Sequence, residues 1–510
     1  VFEALLWMLE DGSRTAICAS PHRPPVTRDQ LIGDAERCAF AVAAATAAGR
    51  PAGDRRPTVW VSARDPYLML VATLGSLRDQ SVALIEAEGP WAGFDRLAAA
   101  CPPALVACDV ASADMMCWAR AHGRPVLAID LGQMPAAGGA SGRRVRSPVS
   151  ADPHDDVLLS FFTSGTTGIP KCVGVGAPQL VSAILGVAGR LSLTSADTSL
   201  SIAPLTHTLG MITTALVALA SGGSVAFADP RQPQEFLALL GQSRPTWCAA
   251  SPSQHKLVYR LLSRAGTGWP ELRFLRSSAA PMSSDFAGQL ENYYKAPVVN
   301  AYAMTEAPGE IASQAPDNDR VHGTVGRPTL CEVEIRSDSD PISDGKAGEI
   351  WIRGPNVVVP GGKQSWAWIP TGDIGSFDSA GFLRITGRAD DIINSGGLKI
   401  WPPDVEAAAR THPAVSVAVA FPIPHQGMGE SVGLAVVPAS GHTVDTPALR
   451  RRLMAELPRH AWPSAIVVCA DIPLSARGKI ARRALWSQLP GSQLPGSQLP
   501  GAAAESPARS

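Results

Sequence analysis

Asp156-Val-Leu-Leu-Ser-Phe-Phe-Thr163-Ser164-Gly165-Thr166-Thr167-Gly168-Ile169-Pro170-Lys171 runs from an apolar stretch into hydroxyls and glycines and closes on a lysine. The apolar part has the length of a buried strand, and the turn chemistry behind it ends that strand abruptly. Glycines let backbone N–H groups converge, hydroxyls add donors and the lysine adds a point charge, which together cradle polyphosphate. A solvated Ser/Thr/Gly turn has the same composition, so the loop by itself leaves both readings open. A Walker A loop is excluded, because that motif needs Gly-Lys-Ser/Thr and here Lys171 follows Pro170 and precedes Cys172.

Working outward, short apolar runs at 58–61, 82–85, 105–108 and 126–129 read as buried strands, with a helix at 66–77 between the first two. Strand–helix–strand alternation predicts parallel α/β layers. The polar, Gly-rich stretch 135–147 reads as a surface loop. From 332 to 384 short strands and Gly/Pro/Asp turns replace the helical period, which predicts an antiparallel segment with a turn at Asp378-Ser-Ala-Gly381. Beyond Ile400 an α+β pattern follows: helix 404–411, strands 415–421 and 432–437, helix 446–457 and strand 465–469. Gly-Ser-Gln-Leu-Pro then occurs at 491–495 and again at 496–500. A Pro/Gly repeat buries no core, so 487–510 reads as a disordered tail.

At 510 residues the chain is too long for one ordinary core, so two or more domains are expected. Hydrophobic residues at 45% and charged ones at 17% exclude wholesale disorder. With 44 basic and 45 acidic residues the formal charge is −1, which gives no reason to expect nucleic acid or an anionic membrane as partner. Only 7 of the basic residues are lysines, so each one merits inspection. Nine cysteines without a C-x-x-C pair read as reduced thiols, mostly buried, in a cytoplasm. The ten histidines form no zinc-type spacing, so a structural metal is not expected. The opening Val1–Glu10 has no basic region, no apolar run is long enough to span a membrane, and Ala508-Arg509-Ser510 is no peroxisomal address. A soluble, cytoplasmic chain is the expectation.

Thr163-Ser-Gly-Thr-Thr-Gly-Ile-Pro-Lys171 resembles the signature loop of the acyl-adenylate-forming superfamily: acyl-CoA synthetases, nonribosomal-peptide adenylation domains and beetle luciferases. Further segments resemble that superfamily in order. Asn300-Ala301-Tyr302-Ala303-Met304-Thr305-Glu306 is similar to its Tyr-Gly-x-Thr-Glu motif. The resemblance implies that Tyr302 stacks on adenine, Thr305 touches the α-phosphate and Glu306 holds Mg2+. Ser278-Ala279-Ala280-Pro281 stands where the family has a strand end beside adenine. Thr371-Gly-Asp373 resembles the motif whose aspartate binds both ribose hydroxyls, and Ile385 and Arg388 fall on further nucleotide positions. Gly387-Arg388-Ala-Asp390-Asp391 through Gly396-Gly397 resembles the hinge motif, with Asp390 as pivot and the glycines passing a pantetheine arm. Gly478-Lys479-Ile resembles the closing motif that carries the adenylation lysine.

These matches cover roughly residues 10–486 and imply an architecture. It is an α/β multi-layer large N-terminal domain at 1–389, built of two mixed-sheet and helix layers plus a β-barrel-like subdomain at about 332–389. A small mobile α+β C-terminal domain follows at 390–486, then the repeat tail at 487–510.

They also imply a chemistry. A carboxylate is a poor electrophile until it is joined to AMP, and that step brings an anion against a triphosphate. Catalysis is therefore charge neutralisation and positioning. Thr163–Thr167 with Gly168 and Lys171, Glu306 and Lys479 meet that need. ATP, Mg2+ and CoA, or a carrier-protein phosphopantetheine, are the implied cofactors. Ala203-Pro204-Leu-Thr-His207-Thr-Leu-Gly210 resembles the Pro-x-x-His-x-x-Gly segment of acyl- and aryl-CoA synthetases, whose histidine lines the acyl pocket. Amino-acid-activating relatives carry an aspartate in this neighbourhood to pair the α-amine. None occurs here, so a small carboxylic acid without an α-amino group is expected.

The wording is most similar to the oxalate–CoA ligase branch. Two departures stand out: Ala303 for the usual glycine, and a shortened stretch from Gly354 to Thr371. An ATP-dependent ligase forming an acyl-CoA, as a monomer or homodimer, is the leading reading. Adenylation alone, transfer to a carrier protein and a non-catalytic nucleotide-binding relative stay open.

Overall fold

The computed structural model describes residues 15–18, 23–47, 57–78, 81–86, 91–134, 157–164, 170–269, 271–317, 319–337, 340–342, 345–359, 366–473, 480 and 482–489. The predicted loop 135–147 lies outside the described residues, as do 165–169 of the phosphate loop, Lys479 and the repeats.

The apolar runs form a six-stranded sheet in the order Val126–Ala128, Leu105–Cys108, Thr58–Ser62, Ser81–Leu84, Val157–Ser164, Pro170–Gly176. All neighbours are parallel except the last pair, which is antiparallel. Val59, Val61, Leu105 and Leu159 enter one apolar core, while Trp60, Ala83, Val106 and Cys108 enter another on the opposite face. Burial on both faces is why these strands read as continuous apolar runs rather than alternating ones. Trp118 of helix Ala113–Ala121 stacks on Trp60 at 5.1 Å between centroids. On the other face Gly75 lets helix Pro66–Ser76 close on helix Arg28–Ala47: a Cβ there would stand 2.7 Å from the Ala35 carbonyl oxygen.

A nine-stranded sheet follows, in the order Arg327–Pro328, Ala307–Ser313, Val298–Met304, Phe274–Ser277, Trp247–Ala250, Thr198–Ser201, Ser224–Phe227, Thr15–Cys18, Val26–Thr27. Val225, Trp247, Phe274 and Val299 share one core with Val59 and Leu159 of the first sheet. A helical layer that includes Ala177–Arg190 contributes Leu180 and Ile184 to that core. Helices Pro233–Ser243, Pro252–Ala265 and Ser284–Tyr294 cover the far face. The second of these shows why the turns fall where they do. Ser251 caps it in a reciprocal box with Gln254, Pro252 opens it, and Gly266 ends it at φ 64°.

A five-stranded sheet spans Glu332–Ser337 to Leu383–Arg388, and its turn at 378–381 is held by Asp378 Oδ1 accepting from the Ala380 and Phe382 amides. The chain divides into two compact units, residues 1–371 with 376–384, and residues 372–375 with 385–510.

The second unit carries its own sheet in the order Leu398–Ile400, Ile393–Ser395, Gly429–Pro438, Val415–His425, with Ala465–Val468 beside Gly429–Pro438. Helix Pro402–Arg410 begins ahead of the predicted start at 404, because proline's fixed φ suits the first helical turn. Residues 487–489, read from sequence as tail, belong to this unit. Helix Arg482–Gln488 includes the first two of them, and Leu485 and Leu489 pack with Val419, Phe421 and Ile472. A burying partner outweighs tail-like composition there. Among the described residues no helix is long and apolar enough to cross a membrane.

Candidate active site

The phosphate-loop strand, Val157–Ser164, pairs antiparallel with Pro170–Gly176 in a register that sets Thr163 opposite Lys171 and Ser164 opposite Pro170. Thr163 and Lys171 therefore stand at the base of residues 165–169, with Thr163 half-buried. Gly165, Thr166, Thr167 and Gly168 lie outside the described residues.

From Lys171 the Nζ donates to Glu306 Oε1 at 2.8 Å. Glu306 reaches it from a tight hairpin: strands Val298–Met304 and Ala307–Ser313 are antiparallel, Met304 faces Ala307, and Thr305-Glu306 is the turn between them. The Glu306 carbonyl is fixed by the Val358 amide at 2.7 Å. Two residues 135 apart in sequence are thus joined as a cation–carboxylate pair. The Lys171 side chain is 51% exposed and that of Glu306 15%, so the lysine is the member ready to turn toward a ligand.

The same strand holds Asn300, Ala301 and Tyr302 in the core, while Ala303 and Met304 are half-buried. Its backbone is pinned at Asn300, whose amide donates to Gln314 Oε1 at 3.0 Å. Beside it, Phe274–Ser277 runs into Ser278-Ala279-Ala280-Pro281: Ser278 is buried, and Ala279 through Pro281 are exposed. Ala279 sits at φ 68°, a left-handed conformation that costs an alanine energy and is concentrated at functional sites.

His207 is half-buried in a turn where its amide donates to the Pro204 carbonyl at 3.1 Å. Gly210 belongs there by necessity, since a Cβ would stand 2.2 Å from the Pro204 oxygen. Behind it Leu209–Leu216 is a π-helix, in which the Thr214 hydroxyl donates to the Leu209 and Gly210 carbonyls. Such widened turns cluster at functional sites. Sequence reading missed it, because a run of apolar residues carries no mark distinguishing a π-turn from an α-turn.

Sequence reading also missed Arg276 and Glu310, fully buried and paired at 3.2 Å. Arg276 Nη2 donates to Glu310 and to the Gly309 carbonyl, whereas its Nε and Nη1 have no hydrogen-bond partner among the described residues. Burial pushes the Glu310 carboxyl up and the guanidinium down. The signal was present: a charge inside the otherwise apolar run Phe274-Leu-Arg-Ser277. His255 anchors the Arg276 carbonyl at 3.0 Å and, with its pKa lowered by burial to about 4, donates there as a neutral ring.

In the second unit Arg388 Nη1 donates to Asp373 Oδ1 at 3.0 Å, and Gly372, at φ 72°, lies under that guanidinium. Ile385 is half-buried and Arg388 exposed. Asp390 lies exposed in the short helix Ala389–Asp391. The basic residues after Lys479 are anchors rather than a solvated run. Arg483 donates to the Asp390 carbonyl at 2.8 Å and to Glu430 at 2.7 Å, and Arg482 pairs with Glu406 and Asp391. Glu430 also accepts from the Asn394 amide at 2.9 Å. Helix Arg482–Gln488, the turn at Asp390-Asp391 and the glycine hairpin are thereby tied together. Gly396 and Gly397, at φ 60° and 84°, form the two-residue turn joining Ile393–Ser395 to Leu398–Ile400, a geometry that needs positive φ at both positions.

Stacked α/β layers, a hydroxyl- and glycine-rich loop closed by a lysine and paired with a hairpin carboxylate, and a separate α+β unit define an adenylate-forming enzyme. The family model described as AMP-binding enzyme matches residues 89–359, and that described as AMP-binding enzyme C-terminal domain matches 404–479. This chain belongs to the AMP-binding enzyme family. It is similar to an oxalate–CoA ligase of Arabidopsis thaliana, 35% identical over 64% of this chain and 67% of that protein. It is also similar to a sulfoacetate–CoA ligase of Cupriavidus necator, 30% identical over 70% of this chain and 72% of that one. Among solved structures, ATP-bound MatB from Rhodopseudomonas palustris matches with a TM-score of 0.81 and 25% identity, covering 94% of this chain and 96% of that one. The chain is an AMP-forming acid–thiol ligase: it uses ATP to convert a carboxylic acid into an acyl-adenylate with release of pyrophosphate, and passes the acyl group to CoA.

Proposed function

We propose that the acid is small, lacks an α-amino group and bears a second acidic group, and that Arg276 recognises that group. The observation behind this is the three N–H donors, on Nε and Nη1 of a buried guanidinium in strand Phe274–Ser277, that have no partner among the described residues. A buried donor without an acceptor costs energy that a ligand oxygen recovers. Glu310 is a buried carboxylate beside it, but its charge is matched by Arg276, so it offers little to a substrate ammonium. Oxalate and sulfoacetate, named for two of the similar ligases, are both small dianions.

In this reading the loop from Thr163 through Gly168 and Lys171 hold the phosphates, and Thr305 meets the α-phosphate. Tyr302 stacks on adenine beside Ser278–Pro281 and the strand residues Asn300–Met304, while Asp373, Ile385 and Arg388 take the ribose side. Glu306 is suited to Mg2+: it offers a hard carboxylate oxygen, and such an ion is commonly held by one or two carboxylates together with substrate phosphates. When bound, that ion neutralises phosphate charge. Lys171 and Glu306 hold one another until nucleotide arrives; then the lysine turns to phosphate and the carboxylate is released. Lys479 meets the charge developing in adenylation, His207 borders the acyl group, Asp390 is the pivot, and Gly396-Gly397 passes the pantetheine arm. Free CoA rather than a carrier protein is the proposed acceptor, in the cytoplasm, with a monomer or homodimer as the working unit.

Arg276→Met alone would strand a buried carboxylate, so Arg276→Met with Glu310→Gln is the cleaner test. The double variant, checked for folding by its melting curve, is expected to lose about 100-fold in ATP–pyrophosphate exchange with oxalate or sulfoacetate and little with acetate. An unchanged preference for the dianion would refute the assignment.

A further inference from the structure

Two thiols meet beside the phosphate-loop lysine. Cys101 follows helix Trp91–Ala100, its amide bonded to the Leu97 carbonyl at 2.8 Å and its own carbonyl accepting from Trp60 Nε1 at 2.9 Å. Cys172 directly follows Lys171 in strand Pro170–Gly176, opposite Phe162. Opposed residues in a ladder share a face. Phe162 and Cys101 pack against the same cluster around Trp60, Phe94 and Trp118, so Cys172 projects toward the face that carries Cys101. The two thiols hydrogen-bond, the Ser160 hydroxyl also reaches Cys172, and the Thr58 hydroxyl reaches Cys101. Both side chains are half-buried, whereas Cys38, Cys108, Cys248 and Cys331 are buried.

We propose that Cys101 and Cys172 are a reversible dithiol–disulfide site, oxidised by hydroperoxide, that switches the adenylation step off. The hydrogen bond from Cys101 holds the Cys172 thiol below its usual range, and its counterpart raises Cys101. The buried thiols are pushed the other way, Cys38 and Cys331 to about 12. Cys172 is thus the attacking sulfur. Its thiolate displaces hydroxide from the peroxide to give a sulfenic acid. Cys101 then attacks that sulfur, the S–S bond forms, and water leaves with the Cys101 proton. In sum, two thiols and one peroxide give one disulfide and two waters. Bond formation draws the strand at Cys172 onto the helix end and displaces its neighbour Lys171, whose 2.8 Å bond to Glu306 and reach to phosphate depend on that strand.

The test treats the full chain with hydrogen peroxide, quenches with catalase and follows intact mass, non-reducing peptide maps and ATP–pyrophosphate exchange with any acid that supports it. Expected are loss of two hydrogens, a peptide linking Cys101 to Cys172, and a parallel fall in exchange of about tenfold or more, all reversed by dithiothreitol. Cys101→Ser, or Cys101→Ala should the serine variant fold poorly, is expected to keep basal exchange and lose the reversible fall. Cys117→Ser, which removes an exposed thiol, should keep it. Absence of the linked peptide overturns the site, and a linked peptide with undiminished exchange overturns the switch. The peptide map reads the site without activity, so its outcome is separable from the identity of the acid.

Discussion

Glu306→Gln is expected to lower ATP–pyrophosphate exchange by about 10²–10³-fold while leaving the melting curve within about 1 kcal/mol of the parent. The substitution keeps size and an oxygen acceptor for Lys171, so the hairpin turn and its Val358 bond are undisturbed. What disappears is one negative charge, in a site where phosphate, carboxylate and divalent cation must be balanced. The ion pair contributes little to folding, because Lys171 is half in solvent and a pair in water gains little over hydration. Calorimetry adds a readout independent of turnover: Mg2+ should strengthen ATP binding to the parent much more than to the variant. Near-parental exchange, or an unchanged Mg2+ effect on ATP affinity, would remove Glu306 from the metal role.

Lys479→Ala carries the other large effect. In the proposed reading this lysine meets charge that develops only as carboxylate attacks the α-phosphorus, so its loss should cost about 10²–10³-fold in exchange. Thioester formation from supplied acyl-adenylate and CoA should persist, since that step begins after pyrophosphate has left. ATP affinity should change much less than exchange, because an interaction made only in the transition state appears in rate rather than in binding. Arg482 and Arg483, bonded to Glu406, Asp391, Asp390 and Glu430, tie helix Arg482–Gln488 to the turn at Asp390-Asp391. The melting curve of the variant checks that the unit still folds. Equal loss in both half-reactions would contradict the division of labour.

The strands at 58–61 and 105–108 were legible because both faces are buried, which leaves them almost wholly apolar. The segments at 163–171, 300–306, 371–373 and 387–397 were recognisable in order as resembling family motifs, since such motifs fix residue types at short spacing. Features that depend on distant partners were not. Arg276 finds Glu310 across 34 positions of sequence, and Lys171 finds Glu306 across 135, so no local pattern announces either pair. The boundary at 487 was misread for a related reason. Ser487-Gln-Leu489 has the composition of the repeat that follows it, and only a groove beside Phe421 and Ile472 makes Leu489 part of a core. Gly396 and Gly397 were noticed for the room they give a ligand, whereas their positive φ values also make them obligatory to the turn itself.

The proposed diacid specificity of this two-step ligase is open to a single assay. Its most direct measurement is ATP–pyrophosphate exchange across a panel of oxalate, sulfoacetate, longer dicarboxylates, acetate, aromatic acids and amino acids, repeated with CoA while thioester is followed by mass spectrometry. Exchange with a small dianionic acid, and its CoA thioester as product, is expected. Exchange confined to aromatic or amino acids, or exchange with no thioester on CoA, would contradict it.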